Sequence, residues 1–227
     1  MATVADAPPG TQQATPGRRG RHAVSRAYLP VSLVAVTAAT GVLLVAAAYT
    51  AGRLGHAESW ANRTYWLGQV LVLLPTSARL LSRRVLTTAE TLALITILTV
   101  AEYLIWVCYS PAGFTFVDEL EHWRSTTNIL QTGSLSTVNY LLPISPHYPG
   151  LEEVTSALAS VTGLSVFVSG LIVAGVAHLL FVYVLYLLFR EISSSYRVAS
   201  VAVLVYASNS HFASFDSMFI YQTLALP

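Results

Sequence analysis

The sequence predicts an all-α, polytopic transmembrane helical bundle of about five spans, with interfacial helices in one large outer loop. Three observations lead there. Hydrophobic residues make up 54% of the 227-residue chain and charged residues only 10%, against about 25% charged in an average soluble domain. Apolar runs of near-spanning length recur along the chain, and the arginines gather on one side of them. A soluble globule of this size would leave too much apolar surface in water, so the bilayer is the expected solvent.

The same composition excludes several classes. With a net charge of +1 the chain has no basic patch to neutralise a phosphate backbone, so nucleic acid is not an expected partner. Cys108 is the single cysteine, which rules out a disulfide within the chain, and no Cys/His set has zinc spacing. Every basic residue is Arg; with the Ala and Val richness this fits a GC-rich bacterial source. Phosphate-binding Gly-rich loops, hydrolase nucleophile motifs and kinase signatures are missing from the sequence.

The spans follow in order. Met1 to Ala27 is rich in Pro, Gly, Thr and Ala, with Arg18, Arg19, Arg21 and Arg26. It reads as a disordered cytoplasmic tail (1–27) ahead of a retained signal anchor. Tyr28 to Ala51 is free of charge and long enough to cross. Trp66 to Leu81 is shorter and contains Pro75 and Arg79, so it spans if Arg79 snorkels to the near interface. Thr91 to Tyr109 carries one carboxylate, Glu102. Leu164 to Phe189 is a clear span, with His178 at its middle, where a hydrogen bond to a neighbouring helix is expected. Val198 to Ser208 reaches spanning length only with flanking residues from Tyr196 to Phe212.

Orientation follows from arginine placement. A cytoplasmic N-terminus puts nine arginines inside (Arg18, Arg19, Arg21, Arg26, Arg79, Arg83, Arg84, Arg190 and Arg197) and three outside (Arg53, Arg63 and Arg124). Asp118, Glu119, Glu121, Glu152, Glu153 and Asp216 then all face the outer side. Trp60, Trp66, Trp106 and Tyr109 fall at the outer boundaries, where amphipathic rings prefer to lie. The expected location is a multi-pass cell membrane protein surrounded by membrane lipids.

Residues 110–163 form the outer loop, far longer than a minimal connection. Asp118 is placed to cap a helix running through Gln131, with Gly133 as its stop. Leu120, Trp123, Thr127 and Leu130 give that helix a stripe to lay on the membrane surface. A second helix is expected from Leu151 to Thr162, with Gly163 as its stop and a stripe of Leu151, Val154, Leu158 and Val161. Between them Asn139 to Gly150, with Pro143, Pro146 and Pro149, reads as a stiff extended strap.

The chemistry concentrates at Asp118 and Glu119. A carboxylate at a membrane interface can serve as general base for an incoming hydroxyl. Asp118 and His122 are four residues apart on one helix and could together ligate a divalent cation such as Mg or Mn. The alternative is that acids at a helix start answer the macrodipole alone; Glu152 and Glu153 are assigned to that role. Glu102, inside the third span, either holds a ligand or cation from the outer cavity or bonds a neighbouring helix. His211 and Asp216 flank a short outer turn that could join Asp118.

A span, an outer loop opening with Asp118-Glu119, then His147-Tyr148-Pro149-Gly150-Leu151-Glu152 and a long span, together resemble the glycosyltransferase C superfamily. Phe215 to Tyr221 resembles a further outer element of the same group. The likeness covers Leu86 to Pro227 and makes residues 28–227 the N-terminal part of such a membrane domain. It implies transfer, with inversion, of a sugar from a polyprenyl-phosphate donor to an envelope glycan, lipid or protein acceptor. Asp118 would be the catalytic base and Glu119 its partner, with His122, Arg124, His147, Tyr148, Glu102 and Asp216 around the substrates. Relatives have more spans and later basic loops for the donor phosphate, whereas Arg124 is the only arginine in the acidic loop. The resemblance therefore implies an incomplete chain, inactive alone. The competing expectation is a non-enzymatic transport or assembly protein, whose polar residues would line a mid-membrane path.

Overall fold

The computed structural model describes residues 19–56, 59–82, 86–135, 139–141, 143 and 145–225, with side chains of the first helix described from Val31 onward. The chain is all-α: among these residues there is no strand. The helices are α1 (Arg19–Arg53), α2 (Ser59–Leu81), α3 (Thr88–Tyr109), α4 (Val117–Thr132), α5 (Gly150–Thr162), α6 (Val166–Ser193), α7 (Tyr196–Ala207), α8 (Ser210–Ser214) and α9 (Tyr221–Ala225). The expected tail through Arg18, together with Arg83 and Arg84, lies outside the described residues. Arg19 to Ala27, expected as tail, belong to α1.

Three helices are long and apolar enough to cross a membrane: Val31–Arg53 of α1, α3 and α6. A fourth crossing exists if α7 and the Ser210–Ser217 segment count as one span, bent by 69°. Two of the five expected spans therefore differ. α2 has the length, with 23 residues beginning at Ser59, but Asn62, Arg63 and Gln69 dilute its first half. The last span breaks because Asn209 restarts the chain: its Oδ1 accepts from the His211 amide at 2.9 Å, an N-cap that no helix interior carries.

The burial pattern is that of a protein whose solvent is not water. Leu33, Leu43, Val176 and Leu187 point outward, while Thr76, Thr99, Ser169, His178 and Ser200 are buried. The hydroxyls of Thr76, Thr99 and Ser200 bond back to their own helix carbonyls, which satisfies them without a partner helix. Leu94, Ile95 and Leu98 of α3 meet Val182 and Tyr186 of α6 and Ala199 and Val203 of α7 in the main core.

α1 and α2 cross at a pair of glycines. A Cβ on Gly41 would meet the Gly68 carbonyl oxygen at 2.6 Å, and one on Gly68 would meet the Gly41 oxygen at 2.6 Å. Without lipid-expelling hydrophobic force between helices, such close backbone approach is a main source of association. At the C-terminal end of α1, Arg53 donates to the Cys108 and Tyr109 carbonyls at the end of α3, at 3.0 and 3.4 Å. A cation there answers two helix ends at once. At the opposite end Arg79 of α2 pairs with Glu90 of α3 at 3.1 Å, and Glu90 also closes a capping box with Thr87. The arginine expected to snorkel thus has a protein partner.

The Gly–Gly crossing yields a first test. Gly68→Ala places a methyl against backbone that has no rotamer to yield. It is expected to lower stability by about 1–3 kcal/mol, read as a lower unfolding midpoint of the detergent-solubilised chain. A midpoint unchanged from wild type would mean that α1 and α2 do not meet at these glycines.

Candidate functional site

The loop between α3 and α6 builds the most polar part of the molecule. Helix α4 begins one residue before the expected cap. Phe116 holds the N-cap position and Asp118 lies inside the first turn. The capping is done from the third helical position: Glu119 Oε2 accepts from the Phe116 amide at 3.3 Å and the Thr115 amide at 3.4 Å. A side chain with one more methylene than Asp reaches back to amides that Asp118 would not meet from its own position. Gly133 ends α4 as expected, at φ 66° with its amide on the Ile129 carbonyl.

Glu119 has a second duty that its position in sequence does not announce. Its other oxygen, Oε1, accepts from the Phe219 amide at 3.2 Å, across 100 residues. The carboxylate is almost fully buried and thereby fastens the start of α4 to the segment before α9. Phe219 then stacks on Phe114 with ring centroids 4.8 Å apart. Gly170 of α6 leaves room for both rings, since a Cβ there would meet each at 3.0 Å.

One turn further along α4, His122 Nδ1 donates to Glu152 Oε1 of α5 at 2.7 Å, with both side chains 1% exposed. Ser145 Oγ donates to the same oxygen at 2.9 Å. The acid therefore sits between the serine and the histidine, so the histidine is not placed to take a proton from Ser145 as in a hydrolase triad. Ser145–His147 is a single 3-10 turn rather than extended strap; Pro146 suits its φ and the turn aims Ser145 at Glu152. Asn139 Nδ2 bonds Ser125 Oγ at 3.1 Å and ties the same connection to α4. The Tyr221 ring of α9 covers His122 edge-on at 5.5 Å. His122 Nε2, Glu152 Oε2 and Thr155 Oγ1 have no hydrogen-bond partner among the described residues.

The two loop helices turn their polar faces toward each other. α4 buries Glu119, His122, Ser125, Thr126 and Ile129, and α5 buries Leu151, Glu152, Thr155, Ser156 and Ala159. Leu120, Trp123 and Leu130 on α4 and Val154 and Val161 on α5 stand exposed, Val161 at 87%. Much of the apolar surface thus faces outward while Glu119 and Glu152 face inward, which is stable where the surroundings are apolar. Glu152 is the residue that sequence reasoning underrated. Its helix carries Glu152, Thr155, Ser156 and Ala159 on one side, a polar and small-residue face of the kind that joins helices in membranes.

The expected site residues divide by burial. Asp118, Arg124, His147 and Tyr148 are exposed. Glu119, His122, Glu102 and Asp216 are buried. Asp216 lies in the 3-10 turn Phe215–Ser217, near Tyr206 and His211, and its carbonyl accepts from His178 Nδ1 at 3.2 Å. His178 thus has the neighbouring-segment hydrogen bond expected of it, and its ring stacks on Phe212 at 4.2 Å. Glu102 lines a separate cavity within the helices. Asp118 and His122 do not fit a held divalent cation: His122 is committed to Glu152 and buried, Asp118 is exposed, and no group of three or more candidate ligands occurs among the described residues.

The chain matches no family model, no curated protein and no solved structure. What its fold and site define is a class: an all-α membrane protein with a polar, carboxylate-centred helix pair at one end.

Breaking the central pair gives the second test. Glu152→Ala leaves His122 and Ser145 buried without their acceptor and is expected to cost about 3–5 kcal/mol. Limited proteolysis should then cut the α4–α5 connection faster. Glu153→Ala, on the exposed side of the same helix, should change stability by less than about 0.5 kcal/mol. Equal behaviour of the two variants would remove the pair from its structural role.

Proposed function

We propose that the chain belongs to a membrane glycosyltransferase that moves a sugar from a polyprenyl-phosphate carrier to an acceptor hydroxyl at the outer face of the cell membrane. The observation that carries this reading is the contrast along α4. Glu119 and His122 are buried and bonded, whereas Asp118, between Phe116 and Glu119, is exposed. A helix pinned on one face and offering a carboxylate on another is a rigid mount for a general base.

In the reaction so assigned, Asp118 takes the proton of the acceptor hydroxyl. The acceptor oxygen bonds to the anomeric carbon from the face opposite the carrier. The bond from that carbon to the phosphate oxygen breaks, and polyprenyl phosphate leaves with the electron pair. Glu119 acts as a positioning residue by setting the first turn of α4, since its two oxygens are already occupied by backbone amides. Arg124, His147 and Tyr148, exposed near the two loop helices, are assigned to substrate contact. The arginine bias supports a cytoplasmic N-terminus and an outer α4–α5 pair.

The test is transfer of labelled sugar from a panel of polyprenyl-phosphate-sugar donors, in membranes holding the longest natural reading frame. Asp118→Asn is expected to lower transfer by about 10²–10⁴-fold, the usual contribution of a general base, with expression and unfolding midpoint unchanged because the residue is exposed. Glu119→Gln keeps the acceptor oxygen for one amide and should cost less. Wild-type inactivity across the panel, or an unaffected Asp118→Asn, would move the non-enzymatic transport or assembly reading ahead.

A further inference from the structure

A cavity of about 440 Å³ lies between α1, α2, α3 and the break after α7. Tyr49, Tyr65, Trp66, Trp106 and Tyr109 line it, and among the described residues Glu102 is the only charged side chain in its wall. Glu102 is 6% exposed and its Oε2 has no hydrogen-bond partner among the described residues. The rings form a connected set: Tyr49 meets Tyr65 and Tyr109 edge-on at 5.6 Å, and Trp106 stacks on Tyr109 at 5.7 Å. Arg53, at the end of α1, is committed to the Cys108 and Tyr109 carbonyls and to Thr50 Oγ1.

A carboxylate inside a helical bundle is retained at a cost and marks a ligand or ion pathway by default. Aromatic walls narrow the choice, because ring faces attract cations as a carboxylate does. Among the described residues, no cationic side chain lines the cavity to satisfy either. We propose that this cavity is a binding site for an organic ammonium ion, held by Glu102 and the surrounding tyrosine and tryptophan rings. It stands apart from Asp118 and from glycosyl transfer, and would exist whether or not that reading holds. The same chemistry is offered by a free amine and by the headgroup of an amine-bearing lipid. The break after α7, where Ser208 and Ser210 complete the wall, puts the acid beside the least regular part of the bundle.

The experiment uses the full chain in nanodiscs of pure phosphatidylglycerol and measures binding of radiolabelled choline and ethanolamine. Saturable binding of either is expected. It should weaken by about tenfold or more in Glu102→Gln, the usual scale for removing one partner of a desolvated charge pair. Tyr65→Leu, which keeps the charge but removes a ring, should weaken it as well, and Glu153→Gln, a remote surface change, should leave it unaltered. Repeating the measurement with phosphatidylethanolamine in the disc separates the sources. Competition by the lipid assigns the site to a headgroup, and its absence assigns it to a free amine; both outcomes support the site. Three results would overturn it: no saturable binding to monodisperse wild type, binding indifferent to Glu102→Gln, or equal and equally Glu102-dependent binding of methyl glucoside, which carries no charge.

Discussion

Polar groups in this chain must find partners inside the protein, because its surroundings supply few. The carboxylate of Glu119 shows the consequence most directly. Three backbone amides, from Thr115, Phe116 and Phe219, converge on its two oxygens. One side chain therefore starts a helix and anchors a segment 100 residues away. Glu152 does the equivalent for the other loop helix by accepting from His122 and Ser145 on one oxygen. Remove these two acids and the loop helices lose the contacts that make them a platform.

The same constraint explains why the loop pair is built inside out. A water-soluble helical hairpin would place Leu120, Trp123, Val154 and Val161 between its helices. Here those residues face outward, while Glu119, His122, Ser125 and Thr126 of α4 and Glu152, Thr155 and Ser156 of α5 are buried. Burying a hydrogen-bonded carboxylate costs less than leaving it against hydrocarbon, and an exposed valine costs little where water is scarce. Within the main bundle the logic continues. Hydroxyls bond their own helices, glycines permit close crossings, and the Tyr103 ring packs against Gly175 of α6 while its hydroxyl donates to the Leu171 carbonyl.

Two acids then differ from Glu119 and Glu152 in accepting no hydrogen bond from a side chain or amide among the described residues. Asp118 is an acid left exposed on a helix whose Glu119 is buried and Glu121 half-buried. Glu102 is enclosed, and among the described residues its Oε2 has no hydrogen-bond partner. The first has access without confinement, which suits a group that meets a substrate arriving from outside. The second has confinement without a counterpart, which suits a group that holds a ligand. Between them lies an aromatic stack in which Trp106 and Tyr109, lining the cavity, pack on Phe116 at the start of α4.

The all-α membrane class, the extents of α3 and α6 to within a few residues, and the glycine stops of α4 and α5 were legible in sequence. Each depends on local chemistry: apolar length, and a residue that accepts positive φ at Gly133 and Gly163. The Asp118 cap, the extended strap and the unbroken fifth span were misread, because Glu119, Glu152 and Asn209 take partners that compete with those local patterns. The stripe expected on the membrane surface holds for Leu120, Trp123 and Leu130 of α4, but that of α5 divides: Val154 and Val161 are exposed, whereas Leu151 is buried with Leu158 packed in its cluster, because an amphipathic stripe has the same period whether it meets a core or a lipid. By itself the sequence determined what the chain dissolves in and where its acids cluster. Only the tertiary structure decided which acids are spent on holding the fold and which are left over, since a carboxylate's partners lie tens of residues away and periodicity carries no record of them.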